Sequence, residues 1–258
     1  MTYSEIDIDY LLSTARMAGM EIMKVYEKDF SVDYKDDKSP LTEADKLSNQ
    51  IIIERLMSRY PGSNVISEEN KQVTYDERKD WSTLWLIDPL DGTKEFIKKN
   101  GEFTVNIALI ENGVPTFGVV YALVPNTLYY GIKGDGSYKI SKGLSTKIHN
   151  QDPYTDKDSI KIVASRSHMS DETLAFVSDL EKQGKKIDFL SIGSSLKLCL
   201  VAEGAADVYP RFGPTMEWDT GAAHAVALYA GRQVLNANTM QSLVYNKPDL
   251  LNPSFIVQ

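Results

Sequence analysis

A chain of 258 residues, 42% hydrophobic and 25% charged, has the composition of an ordinary globular protein with a sizeable core, in one large or two medium domains. Its formal charge of −8 argues against a nucleic-acid polymer as general partner, because such binding rests on excess Lys and Arg, yet leaves small acidic substrates open if cations neutralise a carboxylate cluster. One cysteine, Cys199, excludes an intrachain disulfide; no apolar run approaches the roughly 18 residues of a membrane span, and Met1 to Tyr10 shows no signal pattern, so a cytoplasmic protein is expected.

The segment from Ile6 to Tyr26 places Ile8, Leu11, Leu12, Ala15, Ala18, Ile22 and Val25 at helical spacing, which predicts an amphipathic scaffold helix. Phe30, Val32 and Tyr34 alternate as in a short strand, and Lys35 to Pro40 reads as a polar, mobile loop. Thr42 is an N-cap with Asp45 three residues on, so Asp45 is held in the first turn of a second helix, with the capping box as its plainest role. Pro61-Gly62 stops that helix, and a brief strand from Asn64 to Ser67 ends in Glu68-Glu69.

Leu84-Trp85-Leu86-Ile87 is an apolar run suited to a strand buried on both faces, which Asp88-Pro89 should terminate. Asp91-Gly92-Thr93 follows, with a second acid, a glycine that admits a ligand close to backbone, and a hydroxyl. Two readings stand side by side: good turn chemistry, or a divalent cation held by the acids with a phosphate on the following amides. If the two strands lie adjacent, Glu68, Asp88 and Asp91 meet at one sheet edge, where α/β sheets take their ligands.

Phe103 to Glu111, Val114 to Ala122 and Thr127 to Ile132 read as an antiparallel meander turned at Asn112-Gly113. Lys142 to Asp158 is polar and irregular, and a boundary is placed there: an N-terminal α+β domain over 1–150 and a C-terminal α/β domain over 151–258. The second part alternates: a strand at Lys161 to Ala164, a helix from Ser170 to Gly184, a strand at Ile187 to Ile192, a helix from Ser194 to Glu203, a strand at Ala206 to Tyr209 and a helix from Gly221 to Ala230. Asp219 falls at the start of that last helix, where locally it is an N-cap. Cys199, among Leu198, Leu200 and Val201, reads as buried and inert, and the three histidines lack zinc spacing.

Glu68-Glu69, the segment Ile87 to Thr93 and Trp218-Asp219, in this order and spacing, together resemble the signature of the inositol monophosphatase superfamily. Gly92 to Phe96, Ser165 to His168, Gly193 to Lys197 and Tyr209 to Thr215 bring the chain nearest to its 3'(2'),5'-bisphosphate nucleotidases, and the likeness runs to Leu251-Asn252-Pro253. The resemblance implies a mixed α/β fold, a layered αβαβα sandwich with the active site between the two domains. It implies a site of two to three Mg²⁺ held by Glu68, Asp88, the carbonyl of Leu90, Asp91 and Asp219, with Thr93 and Asp45 activating the attacking water. Gly92, Thr93, Ser165, His168, Ser194, Ser195, Lys197 and Arg211 would contact a nucleotide bisphosphate, Lys197 and Arg211 taking the phosphate that is not cleaved.

The activity so implied is hydrolysis of the 3'-phosphate of adenosine 3',5'-bisphosphate (PAP), with the sulfated nucleotide PAPS as second substrate, inhibition by lithium, and a cytoplasmic or peripheral inner-membrane location. The alternatives are an inositol or fructose bisphosphate phosphatase of the same superfamily, and a non-catalytic metal-dependent binding protein. Gly221-Ala222-Ala223 departs from the pattern of paired alanines followed by glycine after Trp218-Asp219-Thr220, so the packing of that helix's first turn is the expectation most exposed to correction.

Overall fold

The structure, a computed structural model, describes residues 3–35, 40–164 and 169–258. Residues 36–39 of the loop expected from Lys35 to Pro40 and the expected substrate contacts Ser165 and His168 lie outside the described residues, while Pro40 opens a strand.

Helix α1 (Ile8–Tyr26) is capped by Asp7, whose carboxylate accepts from the Tyr10 N–H. Strands β1 (Val32–Tyr34) and β2 (Pro40–Thr42) pair antiparallel and lead into α2 (Glu43–Arg59) through the Thr42–Asp45 capping box. Strand β3 (Val65–Ser67), the short helix α3 (Tyr75–Arg78), strand β4 (Thr83–Asp91) and helix α4 (Thr93–Ile97) follow. The meander is β5 (Thr104–Glu111), β6 (Val114–Ala122), β7 (Thr127–Ile132), β8 (Gly136–Ser141) and β9 (Leu144–Ile148). The second half contains β10 (Ser159–Val163), α5 (Asp171–Lys182), β11 (Lys186–Leu190), α6 (Leu196–Ala202), β12 (Tyr209–Arg211), α7 (Glu217–Tyr229), β13 (Val234–Asn236) and β14 (Phe255–Val257).

Five layers result. Helices α1 and α2 cover one face of a seven-stranded sheet of order β3-β4-β5-β6-β7-β8-β9; α6 and α7 cover the other; the β12-β14-β13 and β10-β11 sheets lie beyond them; and α5 closes the stack. Strand β4 shows why the centre of the large sheet is apolar on both faces. Trp85 and Ile87 enter the core under α1 and α2, while Leu84 and Leu86 enter the core under α7, because successive side chains of a strand point to opposite faces. The change of pattern near residue 150 coincides with the passage from the large sheet to the later strands. Helix α7, from the second half, nonetheless lies on the sheet of the first.

Two glycines permit that contact. A Cβ at Gly118 would stand 2.3 Å from the Ala222 carbonyl oxygen, and one at Gly131 2.5 Å from that of Ala225. Bare backbone on the sheet therefore lets α7 approach to van der Waals distance. Gly221 serves the same contact from the helix side, since a Cβ there would meet Leu86 Cδ1 at 3.2 Å and Ala108 Cβ at 3.3 Å. The departure from the expected alanine pair is thus accommodated at the start of α7, where Gly221 is buried against the sheet.

Several expectations are corrected. Strand β4 does not stop at Asp88: it continues through Pro89 to Asp91, with a register shift against β5 between Asp88 and Asp91. Pairing with β3 ends at Ser67 and Ile87, so the missing Pro89 N–H falls where no parallel ladder needs it. The stretch after Lys142 is not all irregular, because Leu144 to Ile148 forms an edge strand whose polar, exposed side chains hide its pairing with β8. Helix α6 begins at Leu196 rather than Ser194, and α7 begins at Glu217, four residues before the expected start.

Candidate active site

Strands β3 and β4 run parallel and adjacent, so their carboxylates emerge together, as the sequence pattern required. The Glu68 N–H donates to the Ile87 carbonyl at 3.1 Å, which extends the ladder one residue and places Glu68 beside Asp88. Asp219 arrives from the first turn of α7, where its Oδ2 accepts from the Met216 N–H at 2.8 Å. It is the third helical residue in a capping position, not the N-cap itself. Glu68, Asp88 and Asp219 each offer an oxygen within 4.8 Å of the other two.

Such a cluster is electrostatically unstable alone. Burial first, then Glu68, Asp91 and Asp219, push the Asp88 carboxyl well above the usual range. Burial, with Asp91 next, pushes Asp219 up to about 8. Buried like charges keep their protons unless a cation replaces them. Three hard oxygens crowded at this distance fit a hard divalent metal ion.

Asp91 lines the same cavity as these three carboxylates. It lies outside that triangle, and its Oδ2 accepts from the Ser195 N–H and, at 3.4 Å, from the Asn106 amide. Burial raises its carboxyl, opposed chiefly by the Lys197 ammonium. Asp91 therefore stands between acidic and basic groups. Leu90 is buried, and its carbonyl faces the Thr93 hydroxyl at 3.2 Å.

The Thr93 hydroxyl also lies 3.2 Å from Asp45 Oδ1. Asp45 Oδ2 accepts from both the N–H and the hydroxyl of Thr42 at 2.7 Å. One oxygen of Asp45 thus anchors the carboxylate to its own helix cap while the other is turned to Thr93. Burial raises the Asp45 carboxyl despite the Thr42 and Thr93 bonds.

Two cavities meet here. The smaller, about 210 Å³, is lined by Glu68, Asp88, Leu90, Asp91, Thr93 and Asp219 among others. The larger, about 450 Å³, contains Ser194, Ser195, Lys197, Tyr209 and Arg211. Asp91, Gly92, Glu95 and Asp219 line both. Gly92 adopts φ 94°, and a Cβ there would stand 3.0 Å from the Glu102 carbonyl oxygen, so only glycine turns β4 into α4 at this wall. Ser194 sits at φ 52° and carries the chain into α6. Its carbonyl accepts from the Lys197 ammonium at 3.0 Å. Burial pulls that ammonium below its usual range, with Asp91 opposing. Arg211 donates from Nη2 to the Pro214 carbonyl at 2.9 Å, while its buried Nε has no partner among the described residues.

Some residues of the site were not anticipated. Lys35 reaches Glu68 at 2.7 Å and Glu69 at 2.6 Å. Burial alone would lower the Lys35 ammonium, but the two carboxylates hold it above its usual range. Glu69, raised by burial to about 7, turns to Lys35 instead of joining the metal triangle. Thr104 and Asn106 form a polar shelf: the Ser195 hydroxyl lies 2.9 Å from Thr104 Oγ1 and donates to Asn106 Oδ1 at 2.9 Å. Their spacing of two in an otherwise apolar strand was a visible signal, since it puts two polar groups on one buried face. Lys98, Asn100, Glu102 and Phe255 also line the larger cavity. Cys199 is buried as expected. His224 is buried too, 2.8 Å from the Tyr245 hydroxyl, and burial brings it down to about 3.

A sandwich with this acidic cluster at adjacent strand ends defines a class, and the family model of the inositol monophosphatase family matches residues 6–257; the chain belongs to that family. The 3'(2'),5'-bisphosphate nucleotidase CysQ of Salmonella typhimurium is 44% identical over 252 residues, 97% of this chain and 98% of that relative. Its namesake from Buchnera aphidicola is 45% identical over 229 residues, 88% and 83% of the two chains. The crystal structure of CysQ from Bacteroides thetaiotaomicron, a bacterial member of the family, matches with a TM-score of 0.86 at 45% identity over 98% of both chains. A Thermotoga maritima IMPase, at 23% identity and a TM-score of 0.78 over 97% and 91% of the two chains, shares the fold. No described helix is long and apolar enough to cross a membrane.

Proposed function

We propose that this chain is a Mg²⁺-dependent 3'(2'),5'-bisphosphate nucleotidase that cleaves the 3'-phosphate of PAP to give AMP and phosphate, with PAPS as a second substrate. The observation that carries the reading is the shared wall of the two cavities: a small carboxylate-lined pocket joined at Asp91 and Gly92 to a larger one that carries Lys197 and Arg211 suits a molecule with two anionic groups, one to be cleaved and one to be held. The nucleotidases at 44% and 45% identity over most of their length support the substrate class.

Glu68, Asp88, the Leu90 carbonyl, Asp91 and Asp219 would hold two to three Mg²⁺, which when bound lower the pKa of a water and neutralise charge on the transferred phosphoryl group. Thr93 has one hydroxyl proton and two acceptors for it, Asp45 and the Leu90 carbonyl, so its lone pairs remain to accept from the attacking water. Asp45, anchored by Thr42 and raised by burial, is a stronger base than a solvated carboxylate and takes the proton through Thr93. Lys197 and the unpartnered Nε of Arg211 hold the phosphate that stays. Gly92, Ser194 and Ser195 line the passage between the two ends.

Phosphate release from PAP, PAPS, inositol monophosphate and fructose bisphosphate, in Mg²⁺ with an EDTA control, tests the reading. PAP should be turned over fastest and EDTA should abolish release. Faster turnover of inositol monophosphate would move the chain to the sugar-phosphate branch, and no metal-dependent release from any ester would leave a binding protein.

A further inference from the structure

A second cavity of about 430 Å³ lies outside the catalytic site, lined by Gln151, Pro153, Tyr154, Thr155, Gly231, Arg232, Gln233 and Gln258. Its distinctive member is Arg232, the third residue past the end of α7 and only 3% exposed. The Arg232 N–H closes the helix on the Ala227 carbonyl at 2.9 Å, and Nη1 donates to the Asp152 carbonyl at 2.7 Å. Nε and Nη2, both buried, have no partner among the described residues.

These two atoms form one edge of the guanidinium, with two parallel N–H groups at the spacing that grips a pair of oxygens. The Asp207 and Asp152 carboxylates act on the guanidinium from nearby without pairing with it. Among the described residues no carboxylate comes within ion-pair distance of Arg232, and the nearby Asp207 is engaged by Lys157 Nζ at 2.6 Å and the Lys161 N–H at 2.7 Å. Burying an arginine with its bidentate edge unmet is costly, by the full desolvation of both donors. The surrounding residues suit an anion: Gln151, Tyr154, Thr155, Gln233 and Gln258 are polar, and no Asp or Glu is among those that line the walls.

We propose that Arg232 anchors a second anion site, which holds a small oxyanion presenting two adjacent oxygens, a phosphate, sulfate or carboxylate group, between the 151–155 segment and the end of α7. The site is distinct from the catalytic one. Phe255 lines the catalytic cavity and Gln258 lines this one, with the rest of β14, roughly 10 Å of strand, between them.

The test removes the catalytic anion contacts first. The full chain carrying Lys197→Ala and Arg211→Ala, in EDTA, is titrated calorimetrically with inorganic phosphate, with sulfate and with succinate. One saturable site is expected for at least one of the three. Succinate in preference to the tetrahedral ions identifies a carboxylate ligand, and the reverse order identifies a phosphate or sulfate. In the same background Arg232→Lys keeps the charge but loses the fork, and should weaken binding roughly tenfold. Gln233→Glu, at an exposed lining position, should weaken it several-fold by repulsion without lowering the thermal midpoint, and decides the matter if Arg232→Lys fails to fold. No saturable binding of any of the three ions, or binding untouched by Gln233→Glu in the folded protein, overturns the proposal.

Discussion

The acidic and basic ends of the active site are built by opposite means. Glu68 and Asp88 stand at the ends of two adjacent parallel strands, so the sheet fixes their separation before any loop is placed. Lys197 and Arg211 come from the short α6 and the three-residue β12, held through a left-handed Ser194 and a side-chain bond to Pro214. The difference matches the tasks proposed for the two ends. Charge that must meet a reacting phosphoryl group in fixed geometry sits on rigid elements, while charge that only holds a substrate tolerates a looser mount.

Kinetics should separate the two ends most sharply. Asp45→Asn and Thr93→Ala should lower kcat by roughly 10²–10⁴-fold with little change in KM, the range for a positioned proton acceptor. Lys197→Ala and Arg211→Ala should instead raise KM for PAP by about 10–100-fold, the worth of one charge-assisted hydrogen bond, and leave a substrate with one phosphate nearly unaffected. Asp91→Asn, at the joint, should damage both parameters, and added Mg²⁺ should recover part of kcat. Equal damage to single- and double-phosphate substrates from the Lys197 and Arg211 variants would erase the contrast and the bisphosphate reading with it.

Stability should distinguish the ends next. Asp219, at about 8 in the folded chain and near 3.8 when unfolded, binds its proton more tightly when folded. That contribution is complete below pH about 3.8 and is lost as pH rises toward 8. The metal-free protein should therefore lose stability across that window, and the rise in thermal midpoint caused by Mg²⁺ should be larger at pH 8 than at pH 5. A Mg²⁺ increment independent of pH would remove the carboxylates from the metal site.

The smallest effect belongs to His224, which is part of neither end. Burial holds it neutral with a folded value of about 3 against an ordinary 6.5. Its contribution is full above pH 6.5 and declines as pH falls toward 3, by at most about 1.4 kcal/mol per unit. His224→Gln should lower stability at neutral pH but flatten its dependence between pH 6.5 and 4, measured as urea midpoints in saturating Mg²⁺. An unchanged slope would mean that another group governs the acid limb.

The sequence by itself determined what depends on neighbours along the chain. The capping box at Thr42 and Asp45, the two-faced apolar run of β4, and carboxylates at the ends of consecutive strands all follow from local patterns of capping, alternation and turn chemistry. The sequence also held a misleading cue, because Pro89 reads as a stop when each partner's ladder is unknown. Tertiary structure alone decided the rest. The resemblance named Asp219, but packing brings it to the other acids: Gly118, Gly131 and Gly221 let α7 lie against the sheet, and no local rule links residues a hundred positions apart. Lys35 on Glu68, Asp91 turned toward Ser195 and the unmet edges of Arg211 and Arg232 likewise depend on which segments pack together. Whether a charged side chain is paired or left unmatched is a property of its three-dimensional surroundings, and spacing along the chain carries no record of it.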